Sequence, residues 1–523
     1  MIVNSQQRIN LLPTGETPAS SLVDASTYPF QRVFLTVGVT IGVMTSAVSG
    51  DVLMGAILFV GFACAGLLWR RSEVPIFAFC ILYQWLFVGV GYFYFKITGD
   101  YPGIRILGDL DAAVWYSLAG LLCITWGIRI VLRSYRPSPD SHENNYDITL
   151  LAWAVLVLFS INWFVELSTI QIRLAAFNVA QILHHILILR YLFLYLLLLT
   201  IVQQGRQYML GVLAFAYVLL PELTSSMTKF KELFFLFVIV LLSQWRPFSS
   251  EYAERTRNRS IVAIVLFVTI FLLVVGLVWS GGMKHSWRTA LLTGQVAGSP
   301  IEKIEAYGQH AVDSIEQFNS REATETLASR LSSGVAYFSH VLRVVPDTVP
   351  HEQGRLTARA IRHVLMPRFL FPEKANLGGD SWLVRKYAHL NVSGNESKTS
   401  IGLGYMAEFY IDYGFPTMLF ALFLYGVLVG GLYRILSRVC PSPHVFAAVA
   451  VGLFLQHFLS YEGNFTKLFG GVLQNFLILT TLLAVFGQRV HTLMVARSIT
   501  PEESRSAGRS PATASPSSGR SRD

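Results

Sequence analysis

Long apolar stretches alternate with short polar connections along most of this chain. A helix of roughly 17–25 apolar residues is long enough to cross the hydrocarbon core of a bilayer. We predict about twelve such spans, the eighth and eleventh of them short, near residues 33–50, 52–69, 74–95, 112–132, 148–165, 186–203, 207–223, 232–246, 260–280, 415–433, 444–460 and 467–487. The pattern therefore predicts an all-α polytopic membrane protein.

One long polar segment, residues 281–402, interrupts this pattern late in the chain. It contains 14 Lys and Arg, 11 Asp and Glu, and 6 of the 12 His of the chain. A capping-box sequence predicts a helix with Ser299 as its N-cap and Pro300 as its first residue, and apolar residues spaced by three and four predict another from near Asn319. We expect a mainly helical loop that carries the chemistry.

The same patterns divide the chain into regions of different character. We predict about nine spans before the loop and about three after it. The tail is rich in Ser, Pro and Arg and is expected to be disordered. The regions are an N-terminal segment over 1–31, a bundle over 32–280, the loop over 281–402, a second bundle over 403–490 and the tail over 491–523.

Basic residues beside the predicted spans set the predicted orientation. If both termini are cytoplasmic, all of these clusters fall on the cytoplasmic side, as the positive-inside rule requires. The clusters are Arg70–Arg71, Arg129/Arg133/Arg136, Arg206, Arg255/Arg257/Arg259, Arg434/Arg438 and Arg489. The large loop then lies outside, which predicts a multi-pass protein of the bacterial inner membrane with a periplasmic loop.

Composition supports the membrane assignment and excludes several other classes. The chain is 53% hydrophobic and 14% charged, whereas a soluble domain has about 25% charged residues. Its net charge of +9 is explained by the orienting Lys and Arg, so it does not indicate binding to nucleic acid. The cysteines show no metal or disulfide spacing. We expect no metal and no cofactor.

A few cations depart from the orientation rule. Arg173, Lys229 and Lys231 fall on the outer side, and Arg190 lies just inside an apolar run. Each could extend to the lipid headgroups along the surface of its helix. Their convergence on the outer face favours a shared anion site instead.

Arginines recur at helical spacing within the loop. Arg355, Arg359 and Arg362 would lie along one edge of a helix, where like charges repel one another. An anion such as phosphate would neutralise them, since guanidinium groups bind phosphate oxygens bidentately; a surface of anionic headgroups is the alternative. The complementary apolar stripe is Leu356, Ala360 and Val364.

Other ionisable residues surround this arginine edge. His363 lies beside Arg362, and Arg368 follows the helix-ending Pro367. Arg343 shares a turn of the preceding helix with His340, for which a solvated face and a functional role are both open. We include His363, Arg368 and Arg343 among the candidate site residues.

Two carboxylates mark the return of the chain to the membrane. Glu408 and Asp412 are four residues apart, which places them on one face of a helix. A carboxylate at a membrane boundary acquires a raised pKa when it is partly desolvated, and can then act as a general base. The alternative is that both pair with nearby Arg or Lys.

These features together resemble the O-antigen polymerase (Wzy-type) and exopolysaccharide repeat-unit polymerase family. The likeness rests on the order of spans and late loop, and on three segments: TSSMTKFKELFF (224–235), MPRFLFPEK (366–374) and TSIGLGYMAEFYIDYGFP (399–416). The resemblance implies a GT-C-like fold of about twelve spans. It also implies a membrane glycosyltransferase that acts on undecaprenyl-pyrophosphate-linked oligosaccharide.

The implied reaction transfers a growing glycan from its lipid pyrophosphate to a hydroxyl of the next repeat unit. Glu408 is the first candidate for the base and His363 the second, with Asp412 beside Glu408. Implied partners are membrane lipids, a flippase and a chain-length regulator. The cations that would bind pyrophosphate or glycan are Arg355, Arg359, Arg362, Arg368, Arg343, Lys229, Lys231, Arg190 and Arg173.

Other functions share part of this pattern. An O-antigen ligase-like enzyme would move the same glycan to a different acceptor, and the sequence does not separate it from a polymerase. A flippase or another transporter would place its charges inside the bundle, and the long external loop argues against it. A structural assembly partner would use the loop for docking.

Overall fold

The computed structural model describes most of the chain. The described residues are 20–70, 73–103, 108–135, 146–167, 183, 186–224, 230–245, 252–293, 295–296, 300–366, 371, 373–374, 380–394 and 401–495. Helices account for the regular structure in these ranges, and the pairing of Tyr146 with Val495 is an isolated bridge. The predicted all-α class is confirmed.

The helices fall into a first apolar series, a polar segment and a second apolar series. The first series is α1 (Ser20–Ser49), α2 (Val52–Leu68), α3 (Ile76–Thr98), α4 (Leu110–Arg133), α5 (Ile148–Leu167), α6 (Leu189–Gln204), α7 (Tyr208–Thr224), α8 (Phe230–Ser243) and α9 (Tyr252–Val278). The polar segment contains α10 (Lys284–Leu292), α11 (Pro300–Glu316), α12 (Ser320–Val344), α13 (Arg355–Leu365) and α14 (Ser381–Tyr387). The second series is α15 (Tyr405–Tyr413), α16 (Thr417–Val439), α17 (Pro443–His457), α18 (Phe465–Leu482) and α19 (Gln488–Met494).

A helix lies at each stretch that the apolar pattern selected, but not all of these helices are long enough to span a bilayer by themselves. Among the described residues, 7 segments have the length and apolar composition of a membrane span: Gln31–Ser49, Ile76–Thr98, Leu110–Arg133, Ile148–Val165, Glu254–Val278, Thr417–Val439 and Phe465–Met494. Shorter apolar helices occupy Val52–Leu68, Leu189–Gln204, Tyr208–Leu220 and Pro443–His457. The chain is therefore a helical membrane protein, and the count of twelve remains a prediction.

Helix boundaries within the polar segment follow the sequence signals. The side chain of Asn319 accepts hydrogen bonds from the backbone N–H groups of Arg321 and Glu322, and so caps α12. On α13 the stripe faces inward as predicted, with Ala360 and Val364 buried. The helix predicted at the capping box begins at Pro300.

Glycines allow two of the long helices to pack closely. A Cβ atom added to Gly127 of α4 would collide with the backbone oxygen of Phe423, and one added to Gly426 of α16 would collide with that of Ile124. Close backbone approach through small residues drives helix association where lipid removes the hydrophobic driving force. Gly127 and Gly426 thus permit the close packing of α4 against α16.

The bundle has two distinct ends. At one end Arg70 donates to the backbone oxygen of Leu132, and Arg129 donates to that of Leu67, so that cations satisfy the C-terminal carbonyls of α4 and α2. At the other end the hydroxyl of Tyr101, just beyond α3, donates to the backbone oxygen of Ser332 at 2.9 Å. Helix α12 of the polar segment therefore packs at the end opposite to Arg70 and Arg129.

Candidate functional site

The structure brings several of the predicted residues to one cleft of about 230 Å³. Glu408, His363 and Arg359, all singled out from the sequence, line it together. The cleft lies between α13, α14, α15 and the start of α18. Its other lining residues are Leu356, Ala360, Asp380, Trp382, Leu383, Asn464, Thr466 and Lys467.

The short helix α15, which carries Glu408, is held by a buried polar contact. The hydroxyl of Tyr405 donates to Oε1 of Gln84 at 2.5 Å, and Nε2 of Gln84 donates to the backbone oxygen of Phe458 at 2.7 Å. Gln84 thus joins α3, α15 and the end of α17. Because Tyr405 lies one turn before Glu408, this contact holds in place the helix that carries the carboxyl group.

Glu408 lies in an environment that favours its protonated form. The residue is 6% exposed, and its Oε2 accepts a hydrogen bond from the backbone N–H of Phe465 at 3.2 Å. Its Oε1 is buried and has no hydrogen-bond partner among the described residues. Burial raises the pKa of Glu408 to about 8, with Asp380 and Asp412 contributing in the same direction and the Phe465 N–H and Lys467 opposing it. Such a carboxyl group can accept a proton near neutral pH.

An ion pair forms another part of the cleft wall. The ammonium group of Lys467 contacts Oδ2 of Asp380, and the side-chain amide of Asn464 donates to Oδ1 of the same carboxylate. Asn464 also caps α18, since its Oδ1 accepts from the backbone N–H of Lys467 at 2.8 Å. Asp380 is buried, whereas the Lys467 side chain is 61% exposed. The ammonium group of Lys467, paired with Asp380, therefore lies where the cleft opens to solvent.

Asp412 holds α13 in place. Its carboxylate accepts from the backbone N–H of Leu356 at 2.9 Å, from the backbone N–H of Thr357 at 2.7 Å and from the Thr357 hydroxyl at 2.5 Å. These are N–H groups of the first turn of α13, which have no partner within the helix. The geometry therefore gives Asp412 a positioning role, and of the two carboxylates only Glu408 lines the cleft.

The predicted arginine edge is divided between two environments. Arg359 lines the cleft, and its guanidinium lies 5.8 Å from the centre of the Trp382 ring. Arg355 is exposed and pairs with Glu352, the carboxylate nearest to it in the sequence. Its Nε lies 3.4 Å from Oε2 of Glu352. Arg362 is exposed and lies outside the set of residues that line the cleft. The helix thus presents one arginine to the cleft.

Arg190 is engaged elsewhere, contrary to the expectation that it joins an anion site. It is 3% exposed between α5, α6 and α7, where its side chain donates to Asn162 and lies 3.8 Å from the carboxylate of Glu222. It also lies 4.8 Å from the centre of the Tyr191 ring. A buried carboxylate already pairs with this cation.

The remaining predicted residues lie away from the cleft or outside the described residues. Arg343 is exposed in the last turn of α12, and its neighbour His340 is buried, which excludes a solvated face for that histidine. Lys231 donates to the hydroxyl of Tyr83 at 3.2 Å. Outside the described ranges are Arg173, Lys229 and Arg368.

Sequence reasoning missed part of the cleft wall. Asn464 precedes an apolar run, as helix-capping residues do, and this signal could have placed Lys467 in the first turn of α18. Asp380 carried no comparable signal, because its contacts with Asn464 and Lys467 join positions that are far apart in the chain.

Within the described residues, there is no group of three or more His, Cys, Asp or Glu that could hold a metal ion.

The fold and the cleft define a helical membrane protein with a polar site at one end of its bundle. Residues 111–499 match a family described as a domain of unknown function (DUF8712). Because the match covers most of the chain, the protein belongs to this family. No curated protein and no solved structure matches the chain.

Proposed function

We propose that the protein is a membrane glycosyltransferase that joins lipid-pyrophosphate-linked oligosaccharide repeat units into a polymer. The observation that carries this proposal is the position of Glu408, a buried carboxyl group with a raised pKa in a cleft that also presents Arg359 and Lys467. Transfer of a glycan to a hydroxyl, with pyrophosphate as the leaving group, requires a proton acceptor and cations in one cleft.

The reaction assigns a role to each side of the cleft. An acceptor hydroxyl attacks the anomeric carbon of the donor glycan, the bond from that carbon to the lipid pyrophosphate breaks, and a new glycosidic bond forms. Glu408 takes the hydroxyl proton, and the bonding electrons leave with the pyrophosphate. Arg359 and Lys467 stabilise the negative charge that develops on this leaving group. His363 is the second candidate for the base.

The proposed membrane topology has about twelve spans, both termini in the cytoplasm and residues 281–402 in the periplasm. The contacts that place α12 at the end of the bundle opposite to Arg70 and Arg129 support this arrangement. The fold is GT-C-like in this proposal, and the location is a bacterial inner membrane. The substrate is linked to undecaprenyl pyrophosphate, and a flippase and a chain-length regulator are partners.

A ligase-like transfer uses the same donor and differs only in its acceptor. The cleft supports both reactions, since Glu408 would deprotonate either hydroxyl. A flippase is disfavoured because the cleft lies between α13, α14, α15 and the start of α18 rather than along the length of the bundle.

Arg359 and Arg362 provide a matched pair for a test in cells. Both are exposed arginines on α13, but only Arg359 lines the cleft. In a strain that lacks the native gene, R362Q should restore polymer of normal length, whereas R359Q should leave single lipid-linked repeat units unextended. Equal restoration by both variants would contradict the assignment of this cleft. Absence of translocated repeat units in the deletion strain would favour a flippase, and full-length polymer not attached to its final acceptor would favour a ligase.

A further inference from the structure

A second group of cations surrounds Glu462, apart from the residues that line the Glu408 cleft. Three separate elements supply them: the start of α8, helix α10 and the middle of α12. Lys284 lies within electrostatic reach of all the other members. The cluster, called here the Glu462 cluster, consists of Lys231, Lys284, Arg288, Arg330 and Glu462 itself.

The chain is shaped to place α10 in this cluster. Gly282 has φ of 144°, a conformation that L side chains rarely adopt, and this residue turns the chain between α9 and α10. Trp287 is completely buried and packs against Tyr307 of α11, with ring centres 5.2 Å apart. With α10 anchored in this way, Lys284 and Arg288 lie one turn apart on the same face.

Helix α12 and the segment before α18 bring the carboxylate into the cluster. The hydroxyl of Ser333 donates to Oε1 of Glu462. A Cβ atom on Gly334 would lie 2.8 Å from the Tyr461 ring, so this glycine permits close packing of α12 on the segment. Tyr461 is in turn fixed by a hydrogen bond of 2.6 Å between its hydroxyl and that of Ser117. Arg330, one turn before Ser333, thus lies beside Glu462.

The cations repel one another, and Glu462 offsets only part of the repulsion. The pKa of Lys284 is lowered to about 8, first by burial and then by Arg330, Arg288 and Lys231, while Glu462 acts in the opposite direction. Burial and Arg288 likewise lower the pKa of Arg330. Lys231, Arg330 and Lys284 act on Glu462, Arg288 acts on Lys284 and Arg330, and Glu232 acts on Lys231 from the same helix. Cations outnumber carboxylates in this group, and an excess of like charge costs stability unless an anion neutralises it.

We propose that the Glu462 cluster is a second anion site, which binds a phosphate or pyrophosphate group with Glu462 as its internal counter-charge. Arg288 and Arg330 supply the planar donors that bind phosphate oxygens bidentately, and Lys231 and Lys284 supply point charges. Lys231 and Arg330 are exposed and Arg288 is half-buried, so a ligand can reach the site from solvent. This inference rests on the geometry of the cluster and stands whether or not the proposed polymerase reaction is correct.

Binding of inorganic pyrophosphate to the full-length protein in zwitterionic nanodiscs tests the proposal directly. We expect saturable binding that R330Q and K284Q each weaken by about tenfold, the effect of one charge-assisted contact. Arg321 is an exposed arginine on the same helix and outside the cluster, so R321Q should bind as the native protein does. E462Q should bind more tightly, because it removes the negative charge that acts on Lys231, Lys284 and Arg330.

The opposite signs expected for R330Q and E462Q make the test decisive. A loss of affinity in E462Q, or equal affinity in R330Q and R321Q, would overturn the proposal, as would the absence of saturable binding. The comparison of R330Q with R321Q is repeated in an R359Q background, which lacks a cation of the Glu408 cleft and keeps the Glu462 cluster intact. A loss of affinity that persists in this background belongs to the Glu462 cluster, so that failure of the polymerase reaction and failure of this site are distinguishable. Thermal unfolding in the absence of ligand shows whether each variant is folded.

Competition then distinguishes the sources of the phosphate group. Displacement by a polyprenyl pyrophosphate incorporated in the nanodisc identifies a lipid-linked pyrophosphate as the ligand. Displacement when phosphatidylglycerol replaces the zwitterionic lipid identifies an anionic headgroup. If neither displaces the probe, the site takes a free phosphate or pyrophosphate.

Discussion

The backbone N–H of Phe465 donates to Oε2 of Glu408 at 3.2 Å, and this contact joins the amino end of α18 to α15. A helix amino end carries partial positive charge and favours an ionised carboxylate. Burial outweighs this effect and raises the pKa of Glu408 to about 8. The carboxyl group is thus held by one oxygen, while the other has no partner among the residues that the structure describes.

The transfer reaction should depend on pH through Glu408. A general base acts in its deprotonated form, so the rate at low substrate concentration should rise as the pH increases from 6 toward about 8, the pKa of this residue. The measurement is the initial rate of polymer formation by purified protein across this range. A rate that is flat from pH 6 to 9 would argue against Glu408 as the base.

Stability should show the opposite trend with pH. Because the pKa of Glu408 is raised in the folded state, the folded protein holds a proton that the unfolded chain releases above about pH 4.3. The stabilisation that comes from this protonation is fully present below about pH 4.3 and is lost as the pH rises through about 8. The E408Q variant carries no such proton, so its unfolding temperature in detergent should exceed that of the native protein at pH 8 and above. Identical pH dependence of both proteins would contradict the raised pKa.

Asp412 should stabilise the protein through α13. Asp412→Ala removes the acceptor for the N–H groups of Leu356 and Thr357 and for the Thr357 hydroxyl, so we expect a loss of about 1–3 kcal/mol. Thr357→Val removes only the hydroxyl contact and should cost less. Thermal unfolding in detergent measures both. A loss from Asp412→Ala no larger than that from Thr357→Val would contradict the capping role.

The ion pair between Arg190 and Glu222 should be structural. Glu222→Leu leaves a buried guanidinium without its carboxylate, and removing one partner of a buried pair costs about 3–5 kcal/mol. The double variant R190L/E222L should recover part of this loss, because neither charge remains. Thermal unfolding of the single and double variants measures the difference. A Glu222→Leu variant as stable as the native protein would show that Arg190 does not depend on this carboxylate.

The local parts of the fold could be predicted from the sequence. Apolar periodicity predicted the positions of the long helices and the buried stripe of α13, and Asn319 predicted the start of α12. Each of these patterns is carried by residues that are neighbours in the sequence. The burial of Glu408 could be predicted for the same reason, since its place beside an apolar run indicates desolvation.

The pairing of distant residues could not be predicted. Arg190 stood out in the sequence but Glu222 did not, and only the packing of α5, α6 and α7 makes the two residues partners. The position of Lys467 beside Asp380 depends likewise on how α14 meets α18. The arginine spacing on α13 predicted a common edge, and it did not predict that Arg359 alone among the three would line the cleft.

The most direct test of the account is polymer formation by the purified protein from an undecaprenyl-pyrophosphate-linked repeat unit, compared between the native chain and E408Q. The control is D347N, which alters an exposed carboxylate beyond the end of α12 that does not line the cleft. We predict a ladder of extended products for the native protein and D347N, and only the starting single units for E408Q at equal amounts of folded protein. A normal ladder from E408Q would contradict the central claim that Glu408 is the base of this reaction.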